Sequence, residues 1–253
     1  MKEPFKDIRA ISLDAMGTII ELKRPPQGVY LEILRDLGHD PRKILPLTQN
    51  AGLFRHYWKE AEKRLLPSFL RDHIDRFAHY QETPYAFWGL IFQVMFEDLG
   101  LPREEIFTAV QTAYHRFADP DLWSVEPTLW ELAESCERRG IPLFVTSNWD
   151  FRLPQILKDL DIGPLFRKII TSALVGFEKP SEKIFHHLVS IAECAPPQIL
   201  HVGDKVEDDV HGAEEAGLRA ALYRKDNHPA ENDSSFARVR RLREVRGLLD
   251  LQD

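Results

Sequence analysis

The chain has only two cysteines in 253 residues, Cys136 and Cys194, and neither sits in a metal-ligand or redox spacing. A disulfide-stapled secreted fold is thereby excluded, and the usage fits a reducing compartment. There is also no run approaching the roughly 18 consecutive apolar residues that a membrane span needs. The opening MKEPFKDIRA lacks the apolar core of a signal peptide, so the expectation is a cytoplasmic protein that does not enter a membrane. Excess positive charge is missing too. Forty acidic residues against 33 lysines and arginines leave a net charge of −7, which argues against a nucleic-acid or membrane-surface binder working through a basic field. What is present is 43% hydrophobic residues, enough for a core without staples. Small polar or phosphorylated molecules remain open as ligands.

Short β-rich apolar runs occur at 8–14, 141–147, 168–172, 199–204 and 219–223. From 141 onward they alternate with helix-like segments at 152–160, 181–192 and 209–216, which predicts a parallel sheet with crossover helices. Between about 21 and 124 no strand pattern is visible. Helical periodicity fills that gap at 84–100 and 103–118, with Pro84 and Pro102 near the starts and Gly100 after Leu99. A further helix is expected over 126–140, with Pro127 near its start and Gly140 at its end. The prediction is therefore an α/β fold: a Rossmann-like parallel sheet core from 1–20 and 122–253, with an all-helical subdomain at 21–121 inserted after the first strand. In the tail FARVRRLREVRGLL, five arginines fall within 238–246, but Val239, Leu242, Val245, Leu248 and Leu249 recur at helical spacing. This predicts a solvated amphipathic terminal helix rather than a nucleic-acid arm.

In a parallel sheet, ligands bind in the crevice outside the carboxyl ends of the strands. That edge carries Asp14 after the first strand, Ser147 and Asn148 after the second, and Gly203-Asp204 followed by Asp208 and Asp209 after the fourth. A single Asp at a strand end is ordinarily a turn former. Several polar strand ends on one edge point instead to a site, and clustered carboxylate oxygens suit Mg²⁺, a hard cation.

The segments LDAMGT, FVTSN, FEKPSEKIF and HVGDKVEDDVHGAEEAG, in this order, resemble the four motifs of the haloacid dehalogenase-like hydrolase superfamily. The insert at 21–121 resembles the family's helical cap in position and helicity. The resemblance implies that Asp14 is a nucleophile, forming an aspartyl-enzyme that water then hydrolyses, which splits one hard displacement into two easier ones. It implies that Ser147 donates a hydrogen bond to the transferred group and that Lys179 holds the nucleophile and balances phosphoryl charge. Thr18, Asn148 and Trp149 complete the expected substrate-contacting set. Asp14, the backbone carbonyl of Met16, Asp204 and Asp209 would ligate Mg²⁺, with Asp208 a further candidate. Lys205 is expected to point to solvent, since long basic chains usually keep their charge in water. The implied partner is a small phosphorylated molecule, and the assembly a monomer or homodimer.

Met16 departs from the pattern. The family's phosphatases place a second aspartate two residues after the nucleophile, where it protonates the leaving oxygen. A thioether carries no such proton, and a general acid–base contribution of about 10²–10⁴ is missing unless another group supplies it. The family's dehalogenases resemble DAYGT at this point, and their halide leaving group needs no proton. Carbon–halogen and carbon–phosphorus hydrolysis therefore stand as alternatives, as does a non-catalytic phosphate-binding member. The family's dehalogenases lack the Gly-Asp pair, so VGDKVEDD favours Mg²⁺ and a phosphate-like group. Within the insert, Arg55, His56, Tyr57, Trp58 and Lys59 are candidates to contact substrate. Lys59 or Lys63 could form an imine, and His73 or His115 could replace the lost acid. For the aromatics the expectation is core packing; for the histidines and lysines it is surface.

Overall fold

The computed structural model describes residues 5–40, 51–65, 71–76, 86–225 and 236–249. The chain divides into two compact units, one of Met1–Glu21 with Ser124–Asp253 and one of Leu22–Trp123. The strands are β1 (Ala10–Leu13), β2 (Ile20–Leu22), β3 (Trp123–Val125), β4 (Leu143–Ser147), β5 (Lys168–Thr171), β6 (Ile199–Gly203), β7 (Arg219–Tyr223) and β8 (Ala237–Val239). Six of them form one sheet in the order β5-β4-β1-β6-β7-β8, and its pairings are parallel. β2 and β3 pair as a separate ribbon where the chain leaves and re-enters the sheet-bearing unit.

Every residue of β1, β4 and β6 is buried, which is why these strands read as continuous apolar runs instead of alternating ones. The helix Glu182–Ala192 shows how the covering layer forms. Ser181 caps it by accepting a hydrogen bond from the Lys183 amide, and it ends at Glu193 in the left-handed region. Its buried face is Ile184, Phe185, Leu188 and Ala192, packed in one cluster with Phe144, Ile170, Ile199, Leu218 and Leu222. Burial of each large member contributes about 1.5–3 kcal/mol.

The tail departs from its expected helix. Ala237–Val239 is an edge strand paired with β7, Tyr223 opposite Val239, and only a 3₁₀ turn at Leu242–Glu244 and one helical turn at Val245–Leu248 follow. The reason is local: Ala237 and Val239 are buried with Arg238 exposed between them, a period of two that the unpaired flank of β7 can use. The segment expected as a helix over 209–216 begins earlier, as a π-helical turn at Val206–His211 that passes into Gly212–Glu215.

The second unit is helical: Pro26–Asp36, Ala51–Arg64, Ala86–Leu99 and Ile106–Arg116 are its principal helices. Residues 84 and 85 of the predicted helix, with Pro84, lie outside the described residues. Ala86–Leu99 buries Phe87, Ile91, Phe92, Met95 and Phe96. Tyr30 sets its ring edge-on to Phe92 at 5.4 Å, and Trp58 does the same to Phe87 at 4.9 Å. Tyr57 is buried and donates to Asp98 at 2.8 Å. Tyr57 and Trp58 thus belong to this unit's packing, while Arg55, His56, Lys59, Lys63, His73 and His115 are exposed. Among the described residues, no helix is long and apolar enough to cross a membrane.

Candidate active site

Segments that follow four strands of the sheet-bearing unit, β1, β4, β5 and β6, build the site. Asp14 follows β1, and its amide donates to Val202 O at 2.8 Å, continuing the pairing with β6 beyond the last strand residue. The chain then turns tightly over Ala15, whose carbonyl accepts from the amides of Ile19 and Ile20 at 2.9 and 3.0 Å. Gly17 makes this possible. Its φ is +84°, and a β-carbon there would lie 2.6 Å from Asp204 Oδ2.

At the end of β6 the approach is closer still: a β-carbon on Gly203 would sit 2.2 Å from the Asp209 carboxyl carbon. Asp209 lies in the π-helical turn, a form of helix that recurs at functional sites. Its amide donates to Lys205 O, and the Lys205 amide donates back to Asp209 Oδ2, each at 2.9 Å. Lys179 arrives from the loop after β5. Asn148 holds that loop from both sides, its Nδ2 donating to Lys179 O at 2.9 Å and its Oδ1 accepting from the Lys179 amide at 2.6 Å. The Asn148 carboxamide, expected to contact substrate, is engaged here with the Lys179 main chain through both its nitrogen and its oxygen.

The Lys179 ammonium, 2% exposed, donates to Asp14 Oδ1 at 2.6 Å and to Asp209 Oδ1 at 2.5 Å. Burial alone would lower its pKa, but Asp14 and Asp209 together outweigh that and hold it above the ordinary lysine value. Asp209 shows the converse. Burial would raise its carboxyl, and Lys179 with His201 keeps it well below the usual range.

Asp204 has no such partner. Burial first, and then the charges of Asp14 and Asp209, push its pKa up to about 6. Its buried Oδ1 has no hydrogen-bond partner among the described residues, and neither does Thr18 Oγ1. Asp14, Asp204 and Asp209 each present an oxygen within 4.8 Å of the others. Three carboxylates against one ammonium, all oxygen donors, one of them orphaned, form a cluster that fits a hard divalent cation.

The remaining expected residues fall as follows. Ser147, 2% exposed, closes β4. Thr18 is buried within the turn that follows Asp14. Trp149 is half-buried, and its amide donates to Ser172 Oγ at 3.0 Å. The Met16 side chain is 50% exposed. Asp208 does not join the cluster; it pairs with Lys205 at 3.2 Å, and the Lys205 side chain is 63% exposed, turned to solvent. His201 was missed in the sequence, although a histidine inside the apolar run ILHVG was a visible signal. It is fully buried and contacts Asp209 Oδ1 at 3.2 Å through Nε2.

The structure thus defines an α/β protein with a parallel sheet and a candidate site where an acid and a lysine meet at its carboxyl edge. The chain belongs to the haloacid dehalogenase-like hydrolase family, whose model matches residues 8–217. It is 26% identical over 216 residues to "Haloacid dehalogenase-like hydrolase domain-containing protein 3" of Bos taurus, covering 85% of this chain and 81% of that protein. It is 30% identical over 153 residues to "Glyceraldehyde 3-phosphate phosphatase" of Methanopyrus kandleri, covering 56% of this chain and 63% of that one. In fold it is similar to a "HAD phosphatase" from Thermococcus onnurineus, with a TM-score of 0.63 at 21% identity over 95% of this chain and 97% of the other.

Proposed function

We propose that the protein is a Mg²⁺-dependent phosphohydrolase of small phosphorylated molecules that works through a phosphoaspartyl intermediate on Asp14. The observation that carries this reading is the Asp14 carboxylate, held at 2.6 Å by Lys179 beside the oxygens of Asp204 and Asp209. Lys179 fixes one oxygen and leaves the other for in-line attack on phosphorus. As that P–O bond forms, the bond to the leaving group breaks and its electron pair departs with the leaving oxygen. Water then cleaves the acyl phosphate, releasing inorganic phosphate and restoring the carboxylate. Ser147, at the end of β4, would donate to a phosphoryl oxygen. The side chains of Asp14, Asp204 and Asp209, with the Met16 carbonyl, would hold Mg²⁺, which supplies charge neutralisation for the phosphoryl oxygens.

Met16 gives the leaving oxygen no proton, so esters and anhydrides whose leaving groups are weak bases are the favoured substrates. The same residue favours carbon–halogen cleavage as a second reading, whereas the three-acid cluster favours phosphate. p-Nitrophenyl phosphate and a 2-haloacid, each with and without Mg²⁺, separate the two. The account expects Mg²⁺-dependent release of nitrophenolate, abolished by Asp14→Asn, and no halide. Halide release without metal would replace it.

A further inference from the structure

Ser12 of β1, Thr146 of β4 and His201 of β6 are each 0% exposed, in three adjacent strands whose other residues are mainly apolar. The sheet register brings them together. Ser12 lies opposite His201, and Thr146 lies two residues beyond Phe144, the β4 partner of Ser12. Ser12 Oγ is 2.9 Å from Thr146 Oγ1 and 3.1 Å from His201 Nδ1, and His201 Nε2 is 3.2 Å from Asp209 Oδ1. These contacts continue through Lys179 to Asp14, two residues past Ser12 on the same strand.

Packing alone does not call for this. Replacing a buried hydrogen-bonded set by apolar groups of similar shape is often nearly neutral, so a set retained only as core could be aliphatic. The proton count says what the imidazole does. A carboxylate only accepts, so the proton belongs on Nε2. That leaves Nδ1 facing Ser12 Oγ at 3.1 Å.

We propose that His201 is a positioning residue that fixes the Asp209 carboxylate and thereby holds the Lys179 ammonium between Asp209 and Asp14. Asp209 Oδ1 accepts from both Lys179 and His201, while Oδ2 accepts from the Lys205 amide. Without the imidazole, Oδ1 keeps only the lysine, the carboxylate can turn, and the ammonium can slide onto Asp14 and mask the attacking oxygen. His201 has no exposed surface, so it acts through Asp209 and never on substrate. The inference rests on Asp14 being the nucleophile.

The test compares His201→Leu, His201→Gln and Ser12→Ala in the full chain. Glutamine can offer an amide N–H to Asp209; leucine cannot. The expected result for His201→Leu is a fall of about 10–100-fold in kcat on p-nitrophenyl phosphate with KM little changed, and a parallel loss of Mg²⁺ affinity by calorimetry. His201→Gln should recover most of both, and Ser12→Ala should fall between. In the wild type, ¹⁵N NMR of the imidazole should show a neutral ring protonated on Nε2, a readout that needs no variant to fold. An Nδ1-protonated ring would overturn the proposal. So would wild-type kcat in His201→Leu, or Leu and Gln variants impaired alike in step with lost thermal stability. If the wild type hydrolyses no phosphate ester, the phosphohydrolase reading fails, while calorimetry and the imidazole spectrum still decide the role of His201.

Discussion

Asp14 and Met16, two residues apart, set what this site can and cannot do. In the proposed mechanism the carboxylate, 2.6 Å from the Lys179 ammonium, makes the attack, and the thioether beside it can move no proton. Met16→Asp should therefore raise turnover of alkyl phosphates by up to about 10²–10⁴ and change turnover of p-nitrophenyl phosphate much less. Steady-state kinetics on both esters check this, and an equal change on both would contradict it. Asp14, Lys179, Asp204 and Asp209 were legible in the sequence because each is a charged residue in or just after an apolar strand, or in a recognisable motif. The contacts of Asn148 and His201 were not. The first depends on the path of a loop 31 residues away, and the second on which residue of β1 lies opposite it. Asp208 misled for a similar reason: its place next to Asp209 says nothing about direction, and the π-helical turn aims the two differently.

Among the elements, the long periodic ones were readable and the short ones were not. The five strands expected from apolar runs are present as β1, β4, β5, β6 and β7; β7 keeps its expected bounds, β1 is shorter at both ends, and β4, β5 and β6 are shorter at one. β2, β3 and β8 have three residues each, too few for a period to register. β8 was also hidden by an overlapping helical spacing, and the free flank of β7 decided the contest. Glu182–Ala192 owes its stability to its buried face more than to its charged first turn. Leu188→Ala should cost about 2–5 kcal/mol by removing a fully buried side chain from the cluster with Phe144 and Leu222, whereas Glu182→Ala on the exposed first turn should cost under about 1 kcal/mol. Urea midpoints measure both, and comparable losses would contradict this division.

For the molecule as a whole, excess negative charge at one point of the sheet edge links stability to pH and to metal. Asp204 has a folded pKa of about 6 against an ordinary 3.8. For an acid raised in this way, stability is fully present below the ordinary value and is lost as pH rises through about 6. Asp209 has the opposite sense: its depressed pKa adds stability above the ordinary value that is lost on acidification. In the proposed site Mg²⁺ would compete with the proton on Asp204, so its stabilisation should grow with pH across the same window. Thermal melts with Mg²⁺ and with chelator should show a larger metal-dependent rise in Tm at about pH 7.5 than at about pH 5. Equal increments would place the cation elsewhere.

The most direct measurement is to trap the covalent intermediate. The protein would be quenched during turnover of p-nitrophenyl phosphate with Mg²⁺, reduced with borohydride, and mapped by peptide mass spectrometry. Reduction of an aspartyl phosphate gives homoserine, and the account predicts that product at position 14 alone. Turnover that leaves residue 14 as unmodified aspartate in every quenched sample, or that survives Asp14→Asn, would contradict it.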